Sequence, residues 1–328
     1  MSRFIDFDIH KKYHFGDVNY DILLGDMMHT KLMALTITLL ISWTAHGMQK
    51  KHLRIHFDIN KTIIATDAVQ DKNLESTING IIAECMEAAW DSKHTQSYYA
   101  YATAQVAQEN PSLAKTDETF KKKRSERLEQ FVTHLQQYPT HLKQYEDDKA
   151  SMMRILQGEG LVIFPSFYKT LAWLETEYPQ QYSIYLRTFG TDLPKVVPAI
   201  QKNTTLQFAN QNANLTEVIS RAALLSTISS AHTSHWAIRD DYGYWKSKTF
   251  QAVGGKPFSI DLNNPHHVSM FFDDNANDQD KPIIYPFSAN GDLEDTNELL
   301  KTGHIVAVNP KEAILDENYF INKIKAVL

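Results

Sequence analysis

Acidic residues directly follow two stretches of this chain that have the pattern of β-strands. Asp58 comes after residues 53–57, in which apolar and polar residues alternate, and Asp273 and Asp274 come after the apolar residues 268–272. Two adjacent carboxylates repel each other, which favours a bound cation over a plain polar loop. Carboxylate oxygens are ligands that Mg²⁺ prefers. The sequence therefore predicts a carboxylate site for a divalent cation, if the fold brings the two stretches together.

The elements that would position these acids alternate between strands and helices. We predict strands over residues 53–57, 182–186, 268–272 and 304–308, with a further short strand starting at Gly160. We predict helices over residues 79–90, 97–108, 116–149, 167–177, 193–201, 215–228 and 319–327. This alternation is typical of a parallel sheet, whose ligands bind at the carboxyl ends of the strands. Asp58, Thr188 and the Asp273–Asp274 pair each follow a strand, so we expect them to converge.

Four short segments occur in a characteristic order along the chain. They are residues 58–62 (Asp-Ile-Asn-Lys-Thr), 186–188 (Leu-Arg-Thr), 255–257 (Gly-Lys-Pro) and 271–274 (Phe-Phe-Asp-Asp). Each segment alone is a weak signal, but together they resemble the motifs of the haloacid dehalogenase superfamily of phosphatases and phosphotransferases. The resemblance covers roughly residues 53–310.

The resemblance implies a role for each motif residue. Asp58 would be the nucleophile that attacks phosphorus and forms an aspartyl-phosphate. Thr62 and Thr188 would contact the phosphoryl group, with Thr188 donating a hydrogen bond to one of its oxygens. Lys256 would offset the negative charge of the nucleophile and the phosphate, in competition with the nearby Lys246 and Lys248 for that role. Thr188 has an equally good alternative interpretation as the cap of the helix that begins near residue 193.

The resemblance also implies a magnesium ion, because a carboxylate and a phosphate dianion repel each other. Asp58 and Asp274 would hold it, with the backbone carbonyl of Asn60 and help from Asp273 or Asp278.

The sequence departs from the family pattern at Asn60. The family usually has an aspartate there, which protonates the leaving group and then activates water, and an amide can do neither. Because general acid-base help is worth ~10² to 10⁴ in rate, we expect a slow phosphatase or one restricted to good leaving groups. Residues that could substitute for the missing carboxyl group are His56, Asp67, Asp240 and Asp241.

The predicted fold is α/β, a Rossmann-like three-layer sandwich with a mainly parallel sheet and an inserted helical cap. Residues 48–70 and 155–328 would form the core that resembles the haloacid dehalogenases, and residues 71–154 the cap. A cap at this place would exclude water and select the substrate.

The first 47 residues contain an apolar run over residues 32–43, which is too short for a typical membrane-spanning helix of about 20 residues. The run is the core of a signal peptide within residues 27–47, an extension upstream of a true start at Met48, or a buried element of the fold. The first interpretation predicts an exported or periplasmic protein and the others a cytoplasmic one. None of them predicts a stable membrane span in the mature protein.

The charge of the chain restricts its partners. A formal net charge of −6 argues against a general nucleic-acid binder, which needs clustered cations. The basic residues 121–124 (Lys-Lys-Lys-Arg) are better explained as a solvated helix face. The sole cysteine, Cys85, lies in an apolar helical context and is predicted to be a packed thiol.

Three functional hypotheses follow, of which the third is phosphohydrolase action on a protein or a nucleotide. The first is a magnesium-dependent phosphatase or phosphotransferase that acts on a small-molecule phosphate ester. The alternative is a catalytically weak binding or regulatory protein that keeps the metal site but has lost turnover through Asn60.

Overall fold

A computed structural model describes residues 50–65, 74–91, 94–158, 161–229, 234–288 and 290–328 of the chain. The predicted targeting segment at residues 1–47 and the candidate acid Asp67 lie outside the described residues. Residues 50–328 group into one compact unit.

Short strands alternate with helices along the described residues. The strands are β1 (His52–Asp58), β2 (Glu87–Ala88), β3 (Gln96–Ser97), β4 (Tyr182–Thr188), β5 (Trp236–Arg239), β6 (Lys256–Ser259), β7 (His267–Asp273), β8 (Ile284–Phe287) and β9 (Ile305–Ala307). The helices are α1 (Leu74–Cys85), α2 (Tyr98–Glu109), α3 (Glu118–Glu129), α4 (Phe131–Leu135), α5 (Pro139–Leu156), α6 (Pro165–Glu177), α7 (Leu193–Asn203), α8 (Arg221–Ser229), α9 (Tyr242–Ser247), α10 (Thr296–Thr302), α11 (Pro310–Leu315) and α12 (Tyr319–Val327).

Five of the strands form a parallel sheet in the order β5-β4-β1-β7-β9. The chain builds outward from β1 to β4 and β5 on one side, then crosses to β7 and β9 on the other. Ligands of such doubly wound sheets bind where the winding direction reverses, at the carboxyl ends of the strands. Here that point lies between β1 and β7, which end at Asp58 and Asp273. The predicted α/β, Rossmann-like fold is confirmed.

One face of the sheet packs against helices through aromatic residues. The Phe57 ring meets Phe167 of α6 at 5.1 Å between ring centroids and Phe320 of α12 at 5.2 Å. All three rings are fully buried. Parallel strands covered on both faces are buried along their whole length, and β4 is of this type although it contains Ser183, Arg187 and Thr188.

The other face carries a buried polar network. The His56 ring stacks between Tyr185 and Phe271, with centroids 4.4 and 5.2 Å away. Arg187 has no exposed surface and forms two hydrogen bonds to Asp240, of 3.0 Å from Nε and 2.5 Å from Nη2. Its Nη1 lies 3.0 Å from Nδ1 of His56. Burial, followed by the charge of Arg187, holds the pKa of His56 well below its usual value.

The helical segment 74–156 shares one hydrophobic cluster with the sheet and its helices. Lys311 of α11 forms an ion pair with Asp148 of α5 at 3.0 Å, which ties this segment to the α/β layers. The segment is helical as predicted, but the helix predicted over residues 116–149 is divided into α3, α4 and α5. The role of the segment as a cap stays a prediction. Lys122 and Lys123 are exposed on α3, as expected for a solvated face.

Several element boundaries differ from the predictions. Gly160, where a strand was predicted to start, lies outside the described residues, and residues 161–164 form no strand, because Ile163 makes only an isolated bridge to Ile64 before α6 begins. The helix predicted from residue 215 begins at Arg221, since Oδ1 of Asn214 accepts a hydrogen bond from the backbone N–H of Thr216 and holds a turn there. The helix predicted over residues 79–90 spans Leu74–Cys85. Among the described residues, no helix is both long and apolar enough to cross a membrane.

We expect the free energy of unfolding to fall as the pH decreases from 6.5 towards 4, in part through His235. Its Nδ1 accepts a hydrogen bond from the backbone N–H of Ile184 at 3.0 Å. Burial lowers the pKa of His235 to about 4, against a partial opposing effect of Glu175. An unfolded histidine has a pKa of about 6.5, so in this window the unfolded chain binds a proton that the folded chain does not. The stabilisation is complete above pH 6.5 and is lost as the pH falls.

A His235→Asn variant is the matched test, since the asparagine Oδ1 can accept the same hydrogen bond and carries no charge at any pH. Urea unfolding between pH 4 and 7.5 should give a shallower pH dependence for the variant than for the wild type. Identical slopes would contradict the assignment to His235. Some dependence should persist, because burial also lowers the pKa of His52, to about 4.

Candidate active site

A buried lysine joins the two acidic stretches. Nζ of Lys256 donates a hydrogen bond to Oδ1 of Asp58 at 2.5 Å and to Oδ2 of Asp273 at 2.7 Å. Its side chain is 1% exposed. Burial alone would lower the pKa of Lys256, but Asp273 and Asp58 outweigh burial and raise it. The lysine is therefore a fixed positive charge between the carboxyl ends of β1 and β7.

The two neighbours of Lys256 in the sequence Gly-Lys-Pro help to hold the lysine in position. A Cβ on Gly255 would lie 2.3 Å from the backbone oxygen of Ile283, so only glycine lets the two backbones come this close. The backbone N–H of Lys256 donates to that same oxygen at 2.7 Å. The Pro257 oxygen accepts a hydrogen bond from Nη1 of Arg187 at 2.9 Å. Contacts on both sides thus hold Lys256 in position.

The other two lysines that competed for this role, Lys246 and Lys248, are exposed. Lys256, which the Gly-Lys-Pro context favoured, is the one of the three that contacts the carboxylates, and its role beside a phosphate stays a prediction.

Three carboxyl groups crowd around this lysine. Asp58, Asp273 and Asp274 can each offer an oxygen within 4.8 Å of the others. Burial raises the pKa of Asp58 to about 7, where Lys256 opposes and Asp273 adds to the effect. Burial, then the charges of Asp273 and Asp58, raises the pKa of Asp274 well above its usual value. Three acids and one lysine leave an excess of negative charge that a divalent cation would neutralise.

The three carboxylates differ in the hydrogen bonds that their oxygens accept. Asp273 uses Oδ2 for Lys256 and Oδ1 for the backbone N–H of Asn275, at 2.9 Å, so it mainly anchors the lysine. Oδ1 of Asp274 accepts one hydrogen bond, from Nδ2 of Asn275 at 2.8 Å, and Asp58 accepts hydrogen bonds from Lys256 and from the backbone N–H of Ile59. Oδ2 of Asp274 is thus the carboxylate oxygen of this group that is best placed as a metal ligand. Asp278 lies in an exposed loop, where its Oδ1 accepts hydrogen bonds from the backbone N–H groups of residues 280 and 281, and the structure does not bring it into this group.

Asn60 and Thr188 lie beside the carboxylates in a second group. Nδ2 of Asn60 donates to Oδ2 of Asp192 at 3.2 Å. A Cβ on Gly190 would lie 2.6 Å from that same oxygen, 3.2 Å from Oγ1 of Thr188 and 3.6 Å from Nδ2 of Asn60. These polar atoms therefore surround one point, which is open only because residue 190 is glycine.

The Thr188 hydroxyl does not cap a helix. Its Oγ1 accepts a hydrogen bond from the backbone N–H of Gly190 at 2.9 Å, which leaves the hydroxyl proton free to be donated. The residue that precedes α7 is Asp192, so Thr188 does not cap that helix.

Two polar atoms of the first motif, Oγ1 of Thr62 and Oδ1 of Asn60, are buried and have no hydrogen-bond partner within the described part of the chain. A buried polar group without a partner costs about 1–3 kcal/mol, so both atoms would gain from a bound ligand.

None of the described candidates for the missing acid is placed for that role. His56 lies within the sheet, stacked on Tyr185. Asp240 is held by Arg187. Oδ1 of Asp241 caps α9 by accepting a hydrogen bond from the backbone N–H of Tyr244 at 2.8 Å. These three proposed substitutions are therefore not supported by the geometry.

Sequence reasoning missed three residues that bear on the site. Asp192 contacts Asn60, Arg187 supports Lys256 through Pro257, and Glu84 of α1 forms an ion pair with Lys61 at 2.6 Å. Asp192 had a weak signal, since it follows Thr188 in a loop after a strand. Glu84 connects the helical segment to the loop that follows Asp58.

Cys85 agrees with its prediction as a packed thiol. Its Sγ lies 3.2 Å from Oδ1 of Asn309, and burial raises its pKa to about 11.

A surface groove of about 590 Å³ lies elsewhere, beside Tyr182 at the amino end of β4. The length of a seven-residue strand, about 20 Å, separates it from Thr188. The groove has no carboxylate cluster and contributes nothing to the site at the other end of the strand.

Comparisons of the chain with models of known protein families, with curated proteins and with solved structures gave no match.

Proposed function

We propose that the protein is a magnesium-dependent phosphatase or phosphotransferase that forms an aspartyl-phosphate at Asp58. One observation carries the proposal: Lys256 joins Asp58 to Asp273, next to Asp274, at the point where the winding of the sheet reverses. A carboxylate nucleophile needs a fixed cation beside it to approach a phosphate dianion, and this arrangement supplies one.

The chemistry would follow from the residues in place. Asp58 keeps one oxygen on Lys256 and attacks phosphorus with the other, while the bond from phosphorus to the leaving oxygen breaks. Water then attacks the aspartyl-phosphate, which releases phosphate and restores Asp58. Thr188 and Thr62 donate hydrogen bonds to phosphoryl oxygens during both steps. Mg²⁺, held by Asp58 and Asp274 with the backbone carbonyl of Asn60, would neutralise the charge that Asp58 and the phosphate share.

The second candidate function, a catalytically weak binding or regulatory protein, is favoured by one feature. The side chain two residues after Asp58 is an amide, which cannot exchange a proton with the leaving group or with water. Such a protein would bind Mg²⁺ and phosphate at the same residues without turnover.

Both functions are tested by adding Mg²⁺ to the full chain. We expect phosphate release from an aryl phosphate that stops when the metal is chelated. We also expect Mg²⁺ to raise the melting temperature, because a ligand that binds only the folded state stabilises it.

The matched controls are Asp274→Asn, which should remove both effects, and Asp278→Asn, which should change them little because residue 278 lies outside the carboxylate group. A magnesium-dependent rise in melting temperature without phosphate release from any substrate would favour the binding protein. Absence of both effects would contradict both functions.

A further inference from the structure

Asn60 is held in one orientation by a carboxylate from another part of the chain. Its Nδ2 donates to Oδ2 of Asp192, 132 residues away in sequence. Asp192 is 3% exposed and precedes α7, yet its side chain forms no capping hydrogen bond to that helix. A buried aspartate at a helix start usually caps the helix, so its contact with Asn60 instead is informative.

This contact determines which end of the amide faces the site. Because Nδ2 is the amide atom that contacts the carboxylate oxygen, the amide points one N–H at Asp192 and its oxygen away from it. Oδ1 of Asn60 is buried and has no partner in the described residues, in agreement with this orientation. The side chain at the position of the family's acid therefore turns its acceptor oxygen away from Asp192, and neither N–H of its amide can be given up as a proton.

An acceptor cannot protonate a leaving oxygen. A hydrogen bond from the second N–H of Asn60 would polarise a leaving oxygen without transferring a proton to it. Alkoxide leaving groups are strongly basic and need a proton as they depart, whereas carboxylate and phosphate leaving groups do not. The fixed amide thus discriminates between two classes of phosphoryl donor.

We propose that the site acts on phosphoric anhydrides, in which the phosphoryl group is bonded to a carboxylate or to another phosphate, rather than on alkyl phosphomonoesters. This inference rests on the proposed function and names the substrate class of the same site.

Hydrolysis of a phosphoric anhydride can proceed in two steps without an acid at position 60. In the first step the bond between Asp58 Oδ and phosphorus forms, and the bond to the leaving oxygen breaks, so that the leaving group departs as a carboxylate or phosphate anion. In the second step a water oxygen bonds to phosphorus as the Asp58–phosphorus bond breaks. The water proton ends on a phosphoryl oxygen of the released phosphate. Oδ1 of Asn60 can orient this water by accepting a hydrogen bond from it.

The test compares three substrates with Mg²⁺ and the full chain. Acetyl phosphate represents acyl phosphates, pyrophosphate represents phosphoanhydrides, and glycerol 2-phosphate represents alkyl phosphomonoesters. For the wild type we expect kcat/KM for one or both anhydrides to exceed that for glycerol 2-phosphate by ~10² to 10⁴, the usual value of general acid catalysis. The two anhydrides identify whether the leaving group is a carboxylate or a phosphate.

The matched variant exchanges the two side chains, Asn60→Asp together with Asp192→Asn. It restores a carboxyl group at position 60 and gives it an amide partner, which avoids placing two carboxylates 3.2 Å apart. We expect this double variant to gain ~10² to 10⁴ in kcat/KM on glycerol 2-phosphate and much less on the anhydrides. The single variant Asp192→Asn frees the amide of Asn60 to turn, and we expect it to lose about tenfold on the anhydrides without a gain on the ester.

Three outcomes would overturn the inference. In the first, the wild type hydrolyses glycerol 2-phosphate as fast as both anhydrides. In the second, Asp192→Asn loses activity on the ester and keeps it on the anhydrides, which would make Asp192 itself the acid. In the third, no substrate is hydrolysed, and then the proposed function falls together with the substrate class. The first two outcomes leave the proposed function standing.

Discussion

An Asp58→Asn variant is expected to lose phosphate release by a factor of about 10⁴ or more, because removal of a covalent nucleophile abolishes the step on which the others depend. The amide keeps the shape of the carboxyl group, and its oxygen can still accept the hydrogen bond from Lys256. It has no nucleophilic oxygen anion with which to attack phosphorus. Single-turnover and steady-state release of phosphate, measured with Mg²⁺, give the size of the loss.

The same variant should be at least as stable as the wild type when the metal is chelated. Burial and Asp273 together outweigh Lys256 and disfavour the ionised form of Asp58, so a neutral amide at this position does not weaken the folded protein. Loss of activity together with equal or higher stability would show that the charge serves catalysis and not folding.

Asp241→Asn is the control for the chemical change from carboxylate to amide. Asn can cap α9 as Asp241 does, and residue 241 is exposed, so activity and stability should change little. If Asp58→Asn kept more than a tenth of the wild-type rate, Asp58 would not be the nucleophile.

The residues at strand ends could be predicted from the sequence because their signal is local. Asp58, Thr188 and Asp273 each follow an apolar stretch that reads as a strand, and a parallel sheet brings such ends to one edge. The register of β1 with β4 and β7 brings Asp58, Thr188 and Asp273 to the same edge of the sheet. Lys256 needed the additional information of its Gly-Lys-Pro context, since β6 is short and contains a proline.

The contacts that orient these residues could not be predicted, because they join positions far apart in the chain. The bond from Asn60 to Asp192 depends on how the loop after β4 returns to the loop after β1. Arg187 lies next to Thr188 in a strand that looks apolar, and nothing local indicates that its partner is Asp240. The first contact follows from the paths of two loops and the second from the register of β4 with β5, and the sequence pattern leaves both open.

An Arg187→Met variant is expected to lower the free energy of unfolding by about 3–5 kcal/mol, because it leaves Asp240 as an unpaired buried charge. Asp240 is 2% exposed, and Arg187 is its ion-pair partner. Met fills much of the volume of the arginine side chain, so loss of packing contributes little. Urea unfolding followed by circular dichroism gives the change, and a decrease below 1 kcal/mol would contradict the assignment.

The double variant Arg187→Met with Asp240→Leu separates two roles of the arginine. Replacing both members of a buried ion pair by apolar residues is often neutral or stabilising, so we expect the free energy of unfolding to recover most of its loss. Phosphate release should stay low, because the Pro257 oxygen no longer receives the hydrogen bond from Nη1 that helps to fix β6 and Lys256. If activity recovered together with stability, Arg187 would serve only to neutralise Asp240. If stability recovered alone, the arginine would be a positioning residue for the lysine that joins Asp58 to Asp273.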